Sequence, residues 1–224
     1  MSLSLAVLVS GGGSNLQAII DAIEDGRLDA SIKLVLSNKV DAYGLTRAAN
    51  HGLPTAVLQH GDYDSREAFD AAMISTIRDH GADVIILAGF MRILTPGFIR
   101  EFAPNILNTH PALLPSFAGA HGARDAVDYG VRISGCTIHF VNEIMDNGPV
   151  IIQAAVPALP GEDPGDLAKR ILRYEHRIFP QAIQWLAEGR LSIDGRHVHV
   201  QDAEAIPAAS TPGALVCPAL DEGF

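Results

Sequence analysis

The chain has 224 residues, 48% of them hydrophobic, enough to bury a core but short for two independent ones, so a single globular domain is expected. Its net charge of −10, with only 16 Lys and Arg, argues against a nucleic-acid binder, because neutralising phosphates takes clustered cations. No apolar run reaches the roughly 18 to 20 residues of a membrane span, and the opening MSLSLAVLVSGGG lacks the basic flank of a secretory signal. Two cysteines, Cys136 and Cys217, make no disulfide framework, so a soluble protein of the reducing cytoplasm is expected, either monomer or homodimer.

In chain order, apolar runs at 5–9, 32–36, 55–58 and 84–87 read as strands, and they alternate with amphipathic stretches at 16–23, 42–50 and 65–79 that read as helices. That alternation predicts βαβ units, and hence an α/β fold with a mostly parallel central sheet covered by helices on both faces. Beyond about residue 105, stretches 105–110, 136–142 and 150–159 read as strands, and 164–188 reads as one long helix that Pro180 should kink. Residues 201–224, rich in Ala, Pro and Gly without periodicity, are expected to be an irregular tail behind a domain spanning 1–200.

Several clusters carry possible chemistry. Ser10-Gly11-Gly12-Gly13-Ser14-Asn15 lies between a strand and a helix, where small residues admit a ligand to the backbone and the helix dipole favours negative charge. It is either a phosphate seat or a structural turn. NAD is disfavoured, because Leu16 stands where a dinucleotide fold wants its third glycine and 37–38 is Ser-Asn, without the acidic residue. Strand alternation puts Asn108 and His110 on one face just before Pro111, an amide donor beside a protonatable ring, suited either to a developing oxyanion or to capping a strand end. Thr137 and His139 likewise share a face, and Asp146 at the turn Asp146-Asn147-Gly148 is either a turn-former or a carboxylate set against His110, favouring its charged form.

Within the long helix, Glu175 falls on the apolar stripe of Ile171, Leu172, Ile178, Phe179, Ala182 and Ile183, so its carboxylate is either paired inside or turned to a polar cavity. Met91-Arg92-Ile93-Leu94 follows a buried strand and either lines a cleft or starts a helix. Nine histidines invite a metal reading, and His197 and His199 would share a strand face, but neither His-Glu-x-x-His nor paired Cys-x-x-Cys spacing is present and no metal is expected.

Taken together, VLVSGGGSNLQAII at 7–20, SNKVDA at 37–42, DSREAF at 64–69, LAGFMRIL at 87–94, NTHPALLP at 108–115 and the stretch 135–149 resemble the folate-dependent formyltransferases. Over about residues 4–200 the chain resembles the branch acting on glycinamide ribonucleotide. The resemblance implies a Rossmann-like formyltransferase fold and transfer of the formyl group of 10-formyltetrahydrofolate, a consumed cosubstrate, to the amine of glycinamide ribonucleotide in purine biosynthesis, without a metal. It places substrate phosphate at Gly13, Ser14 and Asn15, and the glycinamide and ribose end near Glu175. The reduced folate falls along Arg66, Met91, Arg92, Ile93, Leu94, Asn108 and the loop from Val141 to Asp146, and the catalytic group is Asn108, His110 and Asp146.

The chain departs from the commoner family pattern at Phe117-Ala118-Gly119-Ala120-His121-Gly122-Ala123, where Pro at 118, a larger apolar residue at 120 and a polar ring near 123 are expected; that loop is expected to be more mobile. A formyltetrahydrofolate deformylase would be expected to carry an added amino-terminal regulatory domain and a residue other than Pro111. Methionyl-tRNA formyltransferase would be expected to add a tRNA-binding domain and a basic surface. A catalytically idle folate or nucleotide binding module is a reading from a different class.

Overall fold

A computed structural model describes residues 2–203 and 215–224. The length predicts one domain; on a finer level the chain divides into two compact units, one of residues up to 108 together with 141–143, the other of 109–140 and the residues from 144 onward.

In the first unit, β1 (Leu3–Val9), β2 (Ala30–Ser37), β3 (Thr55–Val57), β4 (Val84–Leu87) and β5 (Ile106–His110, as far as Asn108) line up in the order β3-β2-β1-β4-β5, every pair parallel. The helices α1 (Ser14–Glu24), α2 (Tyr43–Asn50), α3 (Arg66–Asp79) and α4 (Pro96–Phe102) connect them. The chain winds outward from β1 through β2 to β3 and then returns to the other side of β1. Right-handed crossovers therefore send α1 and α2 to one face and α3 and α4 to the other.

Packing agrees with that assignment. Ala6, Leu8, Leu34, Leu36, Ile85, Leu87 and Ile106 share a core with Phe69, Met73 and Ile77 of α3 and Phe98, Ile99 and Phe102 of α4. Alternation turns Val9 to the opposite face, where a Cβ built on Gly44 of α2 would lie 3.0 Å from the Val9 Cγ2. The strand order reverses between β1 and β4, and the crevice outside the carboxyl ends of such strands is where open α/β sheets take ligands. Ser10, just past β1, meets Gly89, just past β4, through an N–H to carbonyl bond of 3.1 Å.

The second unit holds α5 (Gly122–Tyr129), β6 (Ile133–Phe140), β7 (Val150–Pro157), α6 (Pro164–Ala187), β8 (Leu191–Asp194), β9 (His197–Val200) and β10 (Leu215–Cys217). Here β6 pairs β7 and β8 pairs β9 antiparallel, and β9 joins β7 in parallel at Val150 and His197. Most of the parallel pairing predicted for the sheet thus lies in the first unit. Helix α6 starts at Pro164 behind Asp163, whose carboxylate accepts the Gly165 N–H at 2.7 Å, and it runs unbroken through buried Pro180.

The tail differs from expectation over residues 215–224, where β10 pairs antiparallel with β7, Leu215 opposite Ala155 and Cys217 opposite Gln153, and buries Val216. Three residues are too few for strand alternation to register in the sequence. Among the described residues, no helix is long and apolar enough to cross a membrane.

Candidate active site

The glycine loop sits at the carboxyl end of β1. Gly13 adopts a left-handed conformation with φ 67° as the N-cap of α1, and a Cβ there would lie 2.6 Å from the Gly44 Cα, so only glycine fits. Gly11 and Gly12 are exposed, and a Cβ built on either would meet nothing within 4 Å. Ser14 opens the helix and Asn15 is buried. This end of the helix has no side-chain cap, which leaves amides of the first turn facing the open side of the loop.

Ser10 joins this loop to the next candidate segment. Its hydroxyl donates to the buried Asn38 Oδ1 at 2.6 Å and accepts the Met91 N–H at 2.8 Å. From there Met91 and Ile93 are 64% and 60% exposed, whereas Leu94 turns into the core. The Arg66 guanidinium donates to the Ile93 carbonyl at 2.8 Å, and Arg92 lies over the Phe69 ring at 5.5 Å. Val141 donates its N–H to the Ile106 carbonyl at 2.9 Å and packs against the same core. Residues 91–94 do not start a helix. That role falls to Pro96 behind Thr95, whose hydroxyl accepts the Phe98 N–H.

In the second unit the structure brings His110 and Asp146 together. His110, 3% exposed at the end of β5, donates from Nε2 to the Phe117 carbonyl at 2.8 Å, and its Nδ1 lies 3.6 Å from the Asp146 Oδ2. Asp146 holds φ 50°, a turn conformation that aspartate tolerates, and its Oδ2 accepts the Gly119 N–H at 2.8 Å. The unusual 117–123 loop is therefore tied to both side chains, and the Phe117 ring packs edge-on against Tyr129.

Thr137 and His139 stand behind this pair, on the face predicted for them. The Thr137 hydroxyl donates to the Ala112 carbonyl at 2.7 Å and accepts from the Leu114 N–H and the Gln153 amide, which fixes the turn that follows His110. His139 donates from Nδ1 to the Phe140 carbonyl at 2.8 Å, and its Nε2 is 4.0 Å from the Asp146 Oδ1. Burial pushes this ring below the ordinary histidine range, against the opposing pull of the Phe140 carbonyl and Asp146.

Glu175 is buried on α6, as its place on the apolar stripe implied. Burial, and then the charge of Glu175, raise the Cys136 thiol well above its ordinary value, which disfavours the nucleophilic thiolate. Among the described residues, no group of three or more His, Cys, Asp or Glu is arranged to hold a metal ion.

Sequence reasoning missed Arg47 of α2. Its Nε donates to the Gly12 carbonyl at 2.8 Å, and its guanidinium lies over the Tyr43 ring at 5.0 Å. The available signal was the spacing of Tyr43, Gly44 and Arg47, which share one side of a helix.

The formyl transferase family matches residues 3–183. The chain belongs to this family. It is 45% identical over 191 residues to phosphoribosylglycinamide formyltransferase of Escherichia coli (strain K12), covering 85% of this formyl transferase chain and 90% of that one. It is 41% identical over 203 residues to the protein of that name from Haemophilus influenzae, covering 91% and 95%. It spans only 19% of the human trifunctional purine biosynthetic protein adenosine-3, to which it is 43% identical over 189 residues. The crystal structure of glycinamide ribonucleotide transformylase 1 from Symbiobacterium toebii superposes with a TM-score of 0.88 at 46% identity, covering 89% of this chain and 94% of that one.

Proposed function

We propose that the chain transfers the formyl group of 10-formyltetrahydrofolate to the primary amine of glycinamide ribonucleotide, giving formylglycinamide ribonucleotide and tetrahydrofolate in de novo purine biosynthesis. The observation that carries this reading is the buried His110 held between the Phe117 carbonyl and the Asp146 carboxylate. Family membership and the activity named for the relatives support it.

Substrate phosphate binds the amides of Gly13, Ser14 and Asn15, and Glu175 takes the glycinamide and ribose end. The folate lies along Arg66, Met91, Arg92, Ile93, Leu94, Asn108 and Val141. The neutral amine attacks the formyl carbon; a carbon–nitrogen bond forms and the carbonyl pair moves onto oxygen. The Asn108 amide donates a hydrogen bond to that oxyanion, and so does His110 from Nδ1, since its Nε2 N–H is held by the Phe117 carbonyl. Asp146 orients His110 and, through water, carries the proton from the attacking nitrogen to the departing folate nitrogen. The bond to folate then breaks as the carbonyl re-forms. The scheme draws on no metal, and free Cys136 and Cys217 suit the cytoplasm.

The test mixes purified protein with both substrates in a metal chelator and follows folate product by absorbance, with and without glycinamide ribonucleotide. Product that requires the amine and vanishes in His110→Ala is expected. Product formed equally without the amine would mean hydrolysis, and none at all a binding module. Loss of an oxyanion donor costs on the order of 2.7 to 4 kcal/mol, so Asn108→Ala should lower kcat about a hundredfold or more; near-normal turnover would remove Asn108 from that role.

A further inference from the structure

Three successive carbonyls of the glycine loop are each held by a donor, two from α2 and one from the first turn of α1. Gly11 accepts the Gly44 N–H at 3.0 Å, Gly12 accepts Arg47 Nε at 2.8 Å, and Gly13 accepts the Gln17 N–H at 3.0 Å. In a trans peptide the N–H points opposite to its carbonyl, so the amides of Gly12, Gly13 and Ser14 are each turned away from the donor that holds the carbonyl of the same peptide. Two of these carbonyls are held by backbone groups. The Gly12 carbonyl depends on a side chain, and a peptide between two glycines is the one most free to flip.

Among the described residues Arg47 makes no direct ion pair with a carboxylate. Among the described residues its partners are all neutral: the Gly12 carbonyl, Gln17 Oε1 at 3.2 Å and the Tyr43 ring. The Gln17 amide donates to Asp21 at 2.8 Å, so that carboxylate reaches Arg47 only through Gln17. By contrast Arg78, Arg170 and Arg190 each bond carboxylates directly. In a chain of net charge −10, a cation without a carboxylate at the rim of the glycine loop favours an anion there.

We infer that Arg47 is a positioning residue for phosphate recognition, holding the Gly12–Gly13 peptide by its carbonyl and supplying positive charge beside the loop. This rests on the phosphate seat proposed above. The placement follows from α2: the close approach of Gly44 to Gly13 sets the helix against the loop, and Arg47, one turn on, reaches over it.

The test compares the full-length protein with Arg47→Met, which keeps an apolar stem over Tyr43, and Arg47→Lys, which keeps the charge and one donor. Calorimetry gives Kd for glycinamide ribonucleotide and for the phosphate-free glycinamide riboside; kinetics give KM for each substrate. A hydrogen bond to a charged group contributes enough that Arg47→Met should weaken the ribonucleotide about tenfold or more, with Arg47→Lys in between. The folate KM and riboside binding should stay within about twofold, because neither ligand brings a phosphate to this loop. Ribonucleotide affinity unchanged in Arg47→Met, or riboside weakened in parallel, would overturn the inference. Thermal unfolding checks each variant, and Arg47→Lys carries the comparison if Arg47→Met does not fold. Wild-type protein without amine-dependent product would sink the functional reading and this inference with it. Wild-type activity beside an unaffected Arg47→Met would sink the inference alone.

Discussion

His139 is 2% exposed, and burial lowers its proton affinity below the ordinary value of 6.5. The unfolded chain therefore takes up this proton at a higher pH than the folded one does. Stability from keeping the ring neutral is fully present above about pH 6.5 and is lost as pH falls from there toward the folded value. His139→Asn should accordingly lose less stability than the wild type between pH 7.5 and pH 5.5, as measured by urea unfolding at both. Glu162, lowered from its ordinary 4.5 mainly by its hydrogen bond to Arg170, acts at more acidic pH and does not blur this window. Equal losses in the two proteins would mean that His139 does not set the acid limb. The catalytic candidates were legible unequally at this scale. Strand alternation alone placed Asn108 and His110 on one face, but the meeting of His110 with Asp146 needed the return of the chain through β6, which no spacing encodes. Arg47 was missed for a similar reason: its helical spacing from Tyr43 and Gly44 is visible, but its role depends on how closely Gly44 approaches Gly13.

At the scale of elements, the strands and helices of the first unit were legible because burial on both faces leaves long apolar runs between amphipathic helices. Helix α4 was not, since its seven residues span about two turns, too few to show a period. Its start is fixed by contacts instead: Thr95 donates its N–H to the buried Asp70 carboxylate at 2.6 Å. Between strands the decisive link is Ser10, which ties the ends of β1, β2 and β4 through Asn38 and Met91. Ser10→Ala would leave the Asn38 oxygen and the Met91 N–H without their shared partner. We expect it to reduce stability by about 1 to 3 kcal/mol and, by releasing the backbone that presents Met91 and Ile93, to raise the folate KM more than the amine KM. A variant that loses stability but keeps its folate KM would show Ser10 to be structural only.

The family match ends at residue 183, inside α6, and residues 201–224 were read from composition as an irregular tail. Composition misleads there because the holding groups are single residues. The Asp221 carboxylate accepts from Arg190 at 2.6 Å and from Trp185 Nε1 at 2.9 Å, and its N–H donates to the Gln181 side chain at 3.0 Å. Trp185 and Gln181 are fully buried, so their polar atoms have no water to fall back on. The Arg190 pair is partly exposed and contributes little by charge alone; the buried Trp185 donor is the larger loss. Asp221→Ala should therefore cost about 1 to 3 kcal/mol in denaturant unfolding, and Asp221→Asn, which keeps an acceptor for Trp185 but not the charge facing Arg190, should cost less. An unchanged midpoint in Asp221→Ala would mean that its bonds to Trp185, Arg190 and Gln181 add nothing to the stability of the second unit, and that the carboxyl-terminal half of α6 holds its place without them.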